Sequence, residues 1–320
     1  MDQASKRRGR PLPDAINMKP IAFNLEEALA VEALYRPNLL VIQQDLKPWE
    51  VSLNSRDGAV QILRFLRIWF DVPQNVFFTA VTYLDLFLSR MKVQEKYLNC
   101  ATISCFYLGV NKENVNIDLN QLVTISQSKC SVSDMLRMAG IIKDKLKVET
   151  GNQRLTTSAD ILMIYLDIFD CIDPLYREKF KIEELLTRLE VLLADNYCAF
   201  FRSSTLALCL LKFEIEQRMM TEAITRKSVI LFGEFIHLLA KIRDIQVTCK
   251  IKTTDLVNCC NNVSKVLKQY DNQDRSKHSQ NLMWRFSSST LGRGKRHRNY
   301  HRPLDTIQEK SQCFSKKLRA

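Results

Sequence analysis

Glycine and proline are scarce in this chain, eight of each in 320 residues. No Asn-Gly or Asp-Gly step sits between alternating apolar and polar runs, the usual mark of a β-hairpin. So few turn formers point to helices joined by short connections. Long apolar runs are missing as well. The most hydrophobic stretch, Ser228 to Ile242, is interrupted by Glu234, His237 and Lys241, so nothing reaches the roughly 20 apolar residues of a membrane span, and no membrane association is expected. His237, on that apolar helix, is expected to be a core histidine. The basic N-terminus has no apolar stretch of the secretory type, so secretion is not expected. There is no Gly-rich phosphate loop, no G-x-S-x-G and no His/carboxylate spacing suited to a metal, so no enzyme, cofactor or metal site is expected. Ten cysteines are present without one C-x-x-C pair. Cys100, Cys105, Cys198 and Cys209 lie in apolar helical stretches and read as reduced core thiols, which places the protein in the nucleus and cytoplasm.

The chain is 46% hydrophobic, enough for a sizeable core, and carries a net charge of +12. That charge belongs to the ends. Twelve Lys/Arg follow from Arg275 onward against Asp305 and Glu309, and the first twenty residues hold five against Asp2 and Asp14. Residues 1–20 and 273–320 therefore read as basic disordered segments around a nearly neutral middle. Within the first, Lys6-Arg7-Arg8-Gly9-Arg10-Pro11 admits three readings: a nuclear-import signal, plain solvated charge, or an AT-hook-like contact to the DNA minor groove. Any nucleic-acid contact would rest on the tails alone, because a DNA-binding face needs Lys/Arg on rigid structure.

Periodicity predicts a short helix at Leu25–Tyr35, ended by Pro37, then helices near Ser55–Phe70, Asn75–Arg90, Glu95–Val110, Leu119–Ser126 and Ser131–Val148. Ser131-Val-Ser-Asp134 has the form of a capping box. From Ala80 to Asn111 two strongly apolar helices meet at one polar turn. The second carries one stripe of Leu98, Ala101, Cys105 and Leu108 and an opposite one of Ile103, Phe106 and Val110, the pattern of a helix at the centre of a bundle. After the polar run Glu149–Arg154, a second group is predicted at Thr157–Phe169, Ile182–Tyr197, Ser203–Gln217, Lys227–Ile242 and Thr253–Tyr270. The expected fold is all-α, with two tandem five-helix domains, 21–150 and 151–272, the first opening on the short helix.

Two such units after an N-terminal helix resemble the cyclin family. Ala80-Val-Thr-Tyr-Leu-Asp85-Leu-Phe-Leu-Ser is similar to the cyclin signature, with Leu86 in place of its Arg. Met91-Lys-Val, Ser104-Cys-Phe-Tyr-Leu, Ile125-Ser-Gln, Ser133-Asp-Met-Leu-Arg-Met138 and Leu206-Ala-Leu-Cys-Leu-Leu211 resemble the cyclin G and cyclin I branch. The resemblance implies a non-catalytic regulator of cell-cycle progression whose partner is a cyclin-dependent protein kinase. Protein phosphatase 2A B-prime subunits, recruited without kinase activation, are the alternative partner, and a cyclin-fold transcription or chromatin-associated factor is a second alternative. It implies a structural pair, Arg56 and Asp85, inside the first domain. It places the kinase-gripping Lys at Asn111, beside Lys112 and Glu113, and the gripping Glu at Ala139, so that one charge is missing and the other displaced. The patch that docks Arg-x-Leu peptides falls on Ser55, Gly58, Ala59 and Ile62, where the large apolar walls have shrunk.

Overall fold

A computed structural model describes residues 15–44, 47–147, 155–172, 180–226 and 229–272. Residues 1–14, with Lys6, Arg7, Arg8 and Arg10, the basic segment 273–320 and the expected linker lie outside the described residues, whereas residues 15–20, expected to be disordered, form the start of α1. Twelve α-helices are described: α1 Ala15–Leu34, α2 Leu53–Trp69, α3 Gln74–Arg90, α4 Glu95–Lys112, α5 Leu119–Ile125, α6 Val132–Leu146, α7 Ser158–Ile172, α8 Ile182–Leu193, α9 Asn196–Ala199, α10 Ser203–Arg226, α11 Val229–Thr248 and α12 Thr253–Asn272. A 3-10 turn, Leu39–Ile42, follows α1. No strand occurs among the described residues, only an isolated bridge between Glu50 and Gln94.

Two helices organise the packing. α4 lies against α2, α3 and α6 and is buried on nearly every side, with Leu98, Ala101, Cys105, Leu108, Ile103, Phe106 and Val110 all in the core. In the second half α10 plays the same part, buried without a break from Leu206 to Leu211 and packed by α7, α8, α11 and α12. α1 does not join the helices that follow it in sequence. It packs on α7.

Helix ends follow local chemistry. The Ser52 hydroxyl accepts from Ser55 N–H at the start of α2, and Ser131 and Asp134 form the capping box of α6. The expected helix Ile182–Tyr197 is instead two, because Asp195 caps a new turn by accepting from Cys198 N–H. The shortage of glycine shows at the other ends: Asp71, Asn114, Gln127, Lys147 and Lys250, none of them glycine, take the left-handed conformation just beyond α2, α4, α5, α6 and α11. Each costs about 1–2 kcal/mol. After α2, α4 and α11 the next N–H reaches back five residues, Val72 to Arg67 O, Val115 to Val110 O and Ile251 to Gln246 O, and satisfies a carbonyl the helix leaves open.

The reading of His237 as a core residue is corrected. Its side chain is exposed, because α11 turns Phe235, Leu238, Ile242 and Ile245 inward and leaves Ile236, His237 and Ala240 outside.

The helical glycines Gly58, Gly109 and Gly140 differ in what surrounds them. A Cβ on Gly109 would stand 2.7 Å from the Val76 carbonyl oxygen, where α3 crosses α4, while Gly58 and Gly140 have nothing within 4 Å. Gly109→Ala is therefore expected to destabilise the protein by about 1–3 kcal/mol through overpacking. Gly58→Ala and Gly140→Ala should each stabilise it by up to about 1 kcal/mol through helix propensity. Urea denaturation of the three variants checks the difference in sign.

Candidate functional site

Arg56 is fully buried on the inner face of α2. Its Nε donates to Asp85 Oδ1 at 2.8 Å and its Nη2 to Asp85 Oδ2 at 2.7 Å, a two-pronged pair between α2 and α3. Nη1 then donates to the Leu193 carbonyl at 2.6 Å and to Asp57 Oδ1 at 3.1 Å. Leu193 ends α8, so the guanidinium meets the negative end of a helix in the second half of the chain. Asp57 extends the link, accepting from the Asn196 backbone N–H at 3.1 Å and from its Nδ2 at 2.6 Å. Burial pushes the Arg56 guanidinium down, and the charges of Asp85 and Asp57 more than offset it.

Two further polar seams join the halves, and neither was read from the sequence. Glu190 on α8 has no exposed surface. It faces Arg67 Nε at 2.9 Å, Arg64 Nε at 3.8 Å and Gln74 Nε2 at 3.4 Å. Burial pushes its carboxyl up, against the pull of Arg67 and Arg64. Glu32 on α1 accepts from Arg202 Nη2 at 2.7 Å, Ser204 N–H at 2.7 Å and Ser204 Oγ at 2.9 Å, tying α1 to the start of α10. The available signal was charge on an apolar face: Arg64 follows Val60 and Leu63 along the buried side of α2.

The kinase-facing positions fall on two helices. Asn111 and Lys112 are exposed at the exit of α4, and Glu113 is its half-buried cap. Lys112 Nζ lies 3.4 Å from Thr79 Oγ1 on α3. Ala139, on α6, is 3% exposed and turned into the core, so its side chain is not on the surface where the sequence reading put it. The outward positions beside it are Gly140 and, one turn earlier, Leu136 at 40% exposure.

The peptide-docking positions share α2. Ser55 is half-buried and engaged with Ser52 Oγ at 2.8 Å, Gly58 is exposed, Ile62 is half-buried, and Ala59 turns into the core. No large apolar wall stands among these four.

Removing Arg56 would leave Asp85 buried and unpaired and the Leu193 carbonyl without its donor. Arg56→Ala should cost about 3–5 kcal/mol, and Asp57→Ala, which spares the pair with Asp85, about 1–3 kcal/mol. Equal denaturation midpoints for Arg56→Ala and the unaltered chain would refute the bracing role.

Comparison with known proteins matches this arrangement. The family described as "Cyclin, N-terminal domain" matches residues 24–151. Cyclin G of Drosophila melanogaster is 33% identical over 273 residues, 81% of this chain, and the chain spans about half (46%) of that relative's length. Cyclin-G1 of Homo sapiens is 34% identical over 264 residues, covering 79% of this chain and 82% of the relative, and human Cyclin-G2 is 31% identical over 265 residues, 81% of this chain and 71% of the relative. Among solved structures, a viral cyclin from herpesvirus saimiri superposes with a TM-score of 0.55 at 16% identity, covering 77% of this chain and 99% of that one. The helical order, the braced first unit and this identity along most of the chain agree: the protein belongs to the cyclin family, in its cyclin G branch.

Proposed function

We propose that this chain is a non-catalytic regulatory protein of cell-cycle progression that engages a cyclin-dependent kinase through the exit of α4 and the outer face of α6, with a weakened grip. The observation that carries the reading is the contrast between a complete scaffold and a changed contact surface. Arg56 and Asp85 are paired and buried, while Asn111 is uncharged and Ala139 is sunk in the core. A charge-assisted hydrogen bond contributes about 1.5–3 kcal/mol, so two missing ones would weaken association on the order of a hundred- to ten-thousand-fold.

Recruitment of a protein phosphatase 2A B-prime subunit is the second reading. It is favoured by apolar surface away from α4 and α6: Ile236 and Val247 on α11 are 55% and 71% exposed. Under either reading the protein works by holding partners together, in the nucleus and cytoplasm.

The burial of Ala139 determines how the kinase reading is tested. A glutamate there would be desolvated, whereas one at Gly140 would meet open space. Affinity purification from cells, with a kinase assay on the recovered material, should compare the unaltered chain with Asn111→Lys plus Gly140→Glu. The double variant is expected to recover and stimulate a partner kinase at least about tenfold more strongly; equal stimulation by the two chains refutes the weakened grip.

The second test concerns the Arg-x-Leu patch. Titration with an Arg-x-Leu peptide followed by fluorescence anisotropy should give at least about a hundredfold weaker binding than to a cell-cycle cyclin, the equivalent of one or two lost apolar side-chain contacts. Matching affinity would show that the patch still works.

A further inference from the structure

Two sulfurs from different helices meet in the second half of the chain. Cys260 Sγ on α12 donates to Cys209 Sγ on α10 at 3.2 Å. Cys209 Sγ in turn donates to the Leu256 carbonyl at 3.5 Å, one turn earlier on α12. Both contacts run to the same neighbour, so the Cys209 sulfur is aimed across the packing of α10 on α12. To reach the roughly 2.05 Å of a disulfide the sulfurs must close by about 1.2 Å, a movement that side-chain torsions can supply.

The two differ in access. Cys209 has no exposed surface and sits within the buried run from Leu206 to Leu211, whereas Cys260 is half-buried, so an oxidant arriving from solvent meets Cys260 first. The Cys260 thiol is pushed up, first by its bond to Cys209 and then by burial, and a protonated thiol attacks slowly, so the pair rests as two thiols. What the packing supplies is the second step, because a sulfur oxidised at Cys260 already has Cys209 beside it. The far end of α12 is tied by Asp271 to Arg188 on α8 at 3.1 Å, and its first half rests on the burial of Leu256, Cys259 and Val263. A covalent bond at Cys260 would secure that first half.

We propose that Cys209 and Cys260 are an oxidisable dithiol, closed by hydrogen peroxide into a disulfide that staples α12 to α10. The Cys260 sulfur, as thiolate, attacks one oxygen of hydrogen peroxide; the O–O bond breaks, sulfur is oxidised to the sulfenic acid, and the departing hydroxide takes up the proton the thiol released, as water. Cys209 then attacks the Cys260 sulfur; the S–O bond breaks, hydroxide leaves with the Cys209 proton as a second water, and the disulfide forms. The bond joins positions 51 residues apart, so it restricts the unfolded chain and stabilises the second half. The inference does not depend on any kinase or phosphatase partner.

The test exposes the reduced full chain to hydrogen peroxide at pH 7, blocks the remaining thiols with N-ethylmaleimide in urea and maps linked peptides by mass spectrometry. A link between the Cys209 and Cys260 peptides should form within single chains. Because Cys259 lies on the same peptide, two variants separate the neighbours: the link should persist in Cys259→Ser and fall at least about tenfold in Cys260→Ser, which lacks the sulfur in contact. Absence of the link from the unaltered chain, its loss in a Cys259→Ser chain that is folded by far-UV circular dichroism, or its persistence in Cys260→Ser overturns the assignment. The unaltered chain gives a readout that needs no variant. After oxidation its urea midpoint should rise, and it should return to the starting value on reduction. A linked chain with the midpoint of the reduced one also overturns the proposal.

Discussion

A guanidinium with no access to water must find its hydrogen bonds inside the protein, and Arg56 finds them in three places at once. Asp85 holds α3 to α2; the Leu193 carbonyl brings in the end of α8; Asp57 passes the link to Asn196 at the start of α9. Each partner is itself buried or half-buried, so the relative placement of the two halves is tied to the satisfaction of one side chain. The Glu190 seam follows the same rule from the other side, with an anion on α8 facing cations on α2. The interface between the halves thus carries paired charge in its interior.

Much of this was legible in the sequence, for identifiable reasons. α4 could be read because its apolar residues cover nearly the whole circumference, which only a central helix does. The pairing of Arg56 with Asp85 came from resemblance to cyclins and not from spacing, and the bond to Leu193 was hidden because a backbone carbonyl leaves no mark on a sequence. The break between α8 and α9 was missed because Asp195 interrupts an otherwise unbroken apolar period with a cap. His237 was misread because an apolar helix that packs on one side still exposes residues on the other, and the identity of a single residue does not say which side it takes.

The candidate contact surface was read less well than the scaffold, and the cause is geometric. On a helix, adjacent residues point about 100° apart, so a register shift of one residue exchanges a core position for a surface one. Ala139 and Gly140 show this directly: one is buried and the other open to solvent. Lys112 and Asn111 are a milder case, both exposed, with Lys112 turned toward Thr79. Core positions tolerate such a shift poorly because packing reports it, whereas surface positions give no such signal.

The packing of α1 on α7, and the bond of Glu32 to Arg202 across 170 positions, have a consequence for the order in which the protein is made. α1 leaves the ribosome before the other described helices, yet the surface that receives it, α7 and then Arg202 and Ser204, is synthesised only much later. At typical elongation rates the wait is on the order of ten to thirty seconds. During that time Leu25 and Ala28, buried in the finished molecule, have no native neighbours, and the nascent helix is available to chaperones. A helix made early is therefore secured only once the second half of the described chain has begun to emerge.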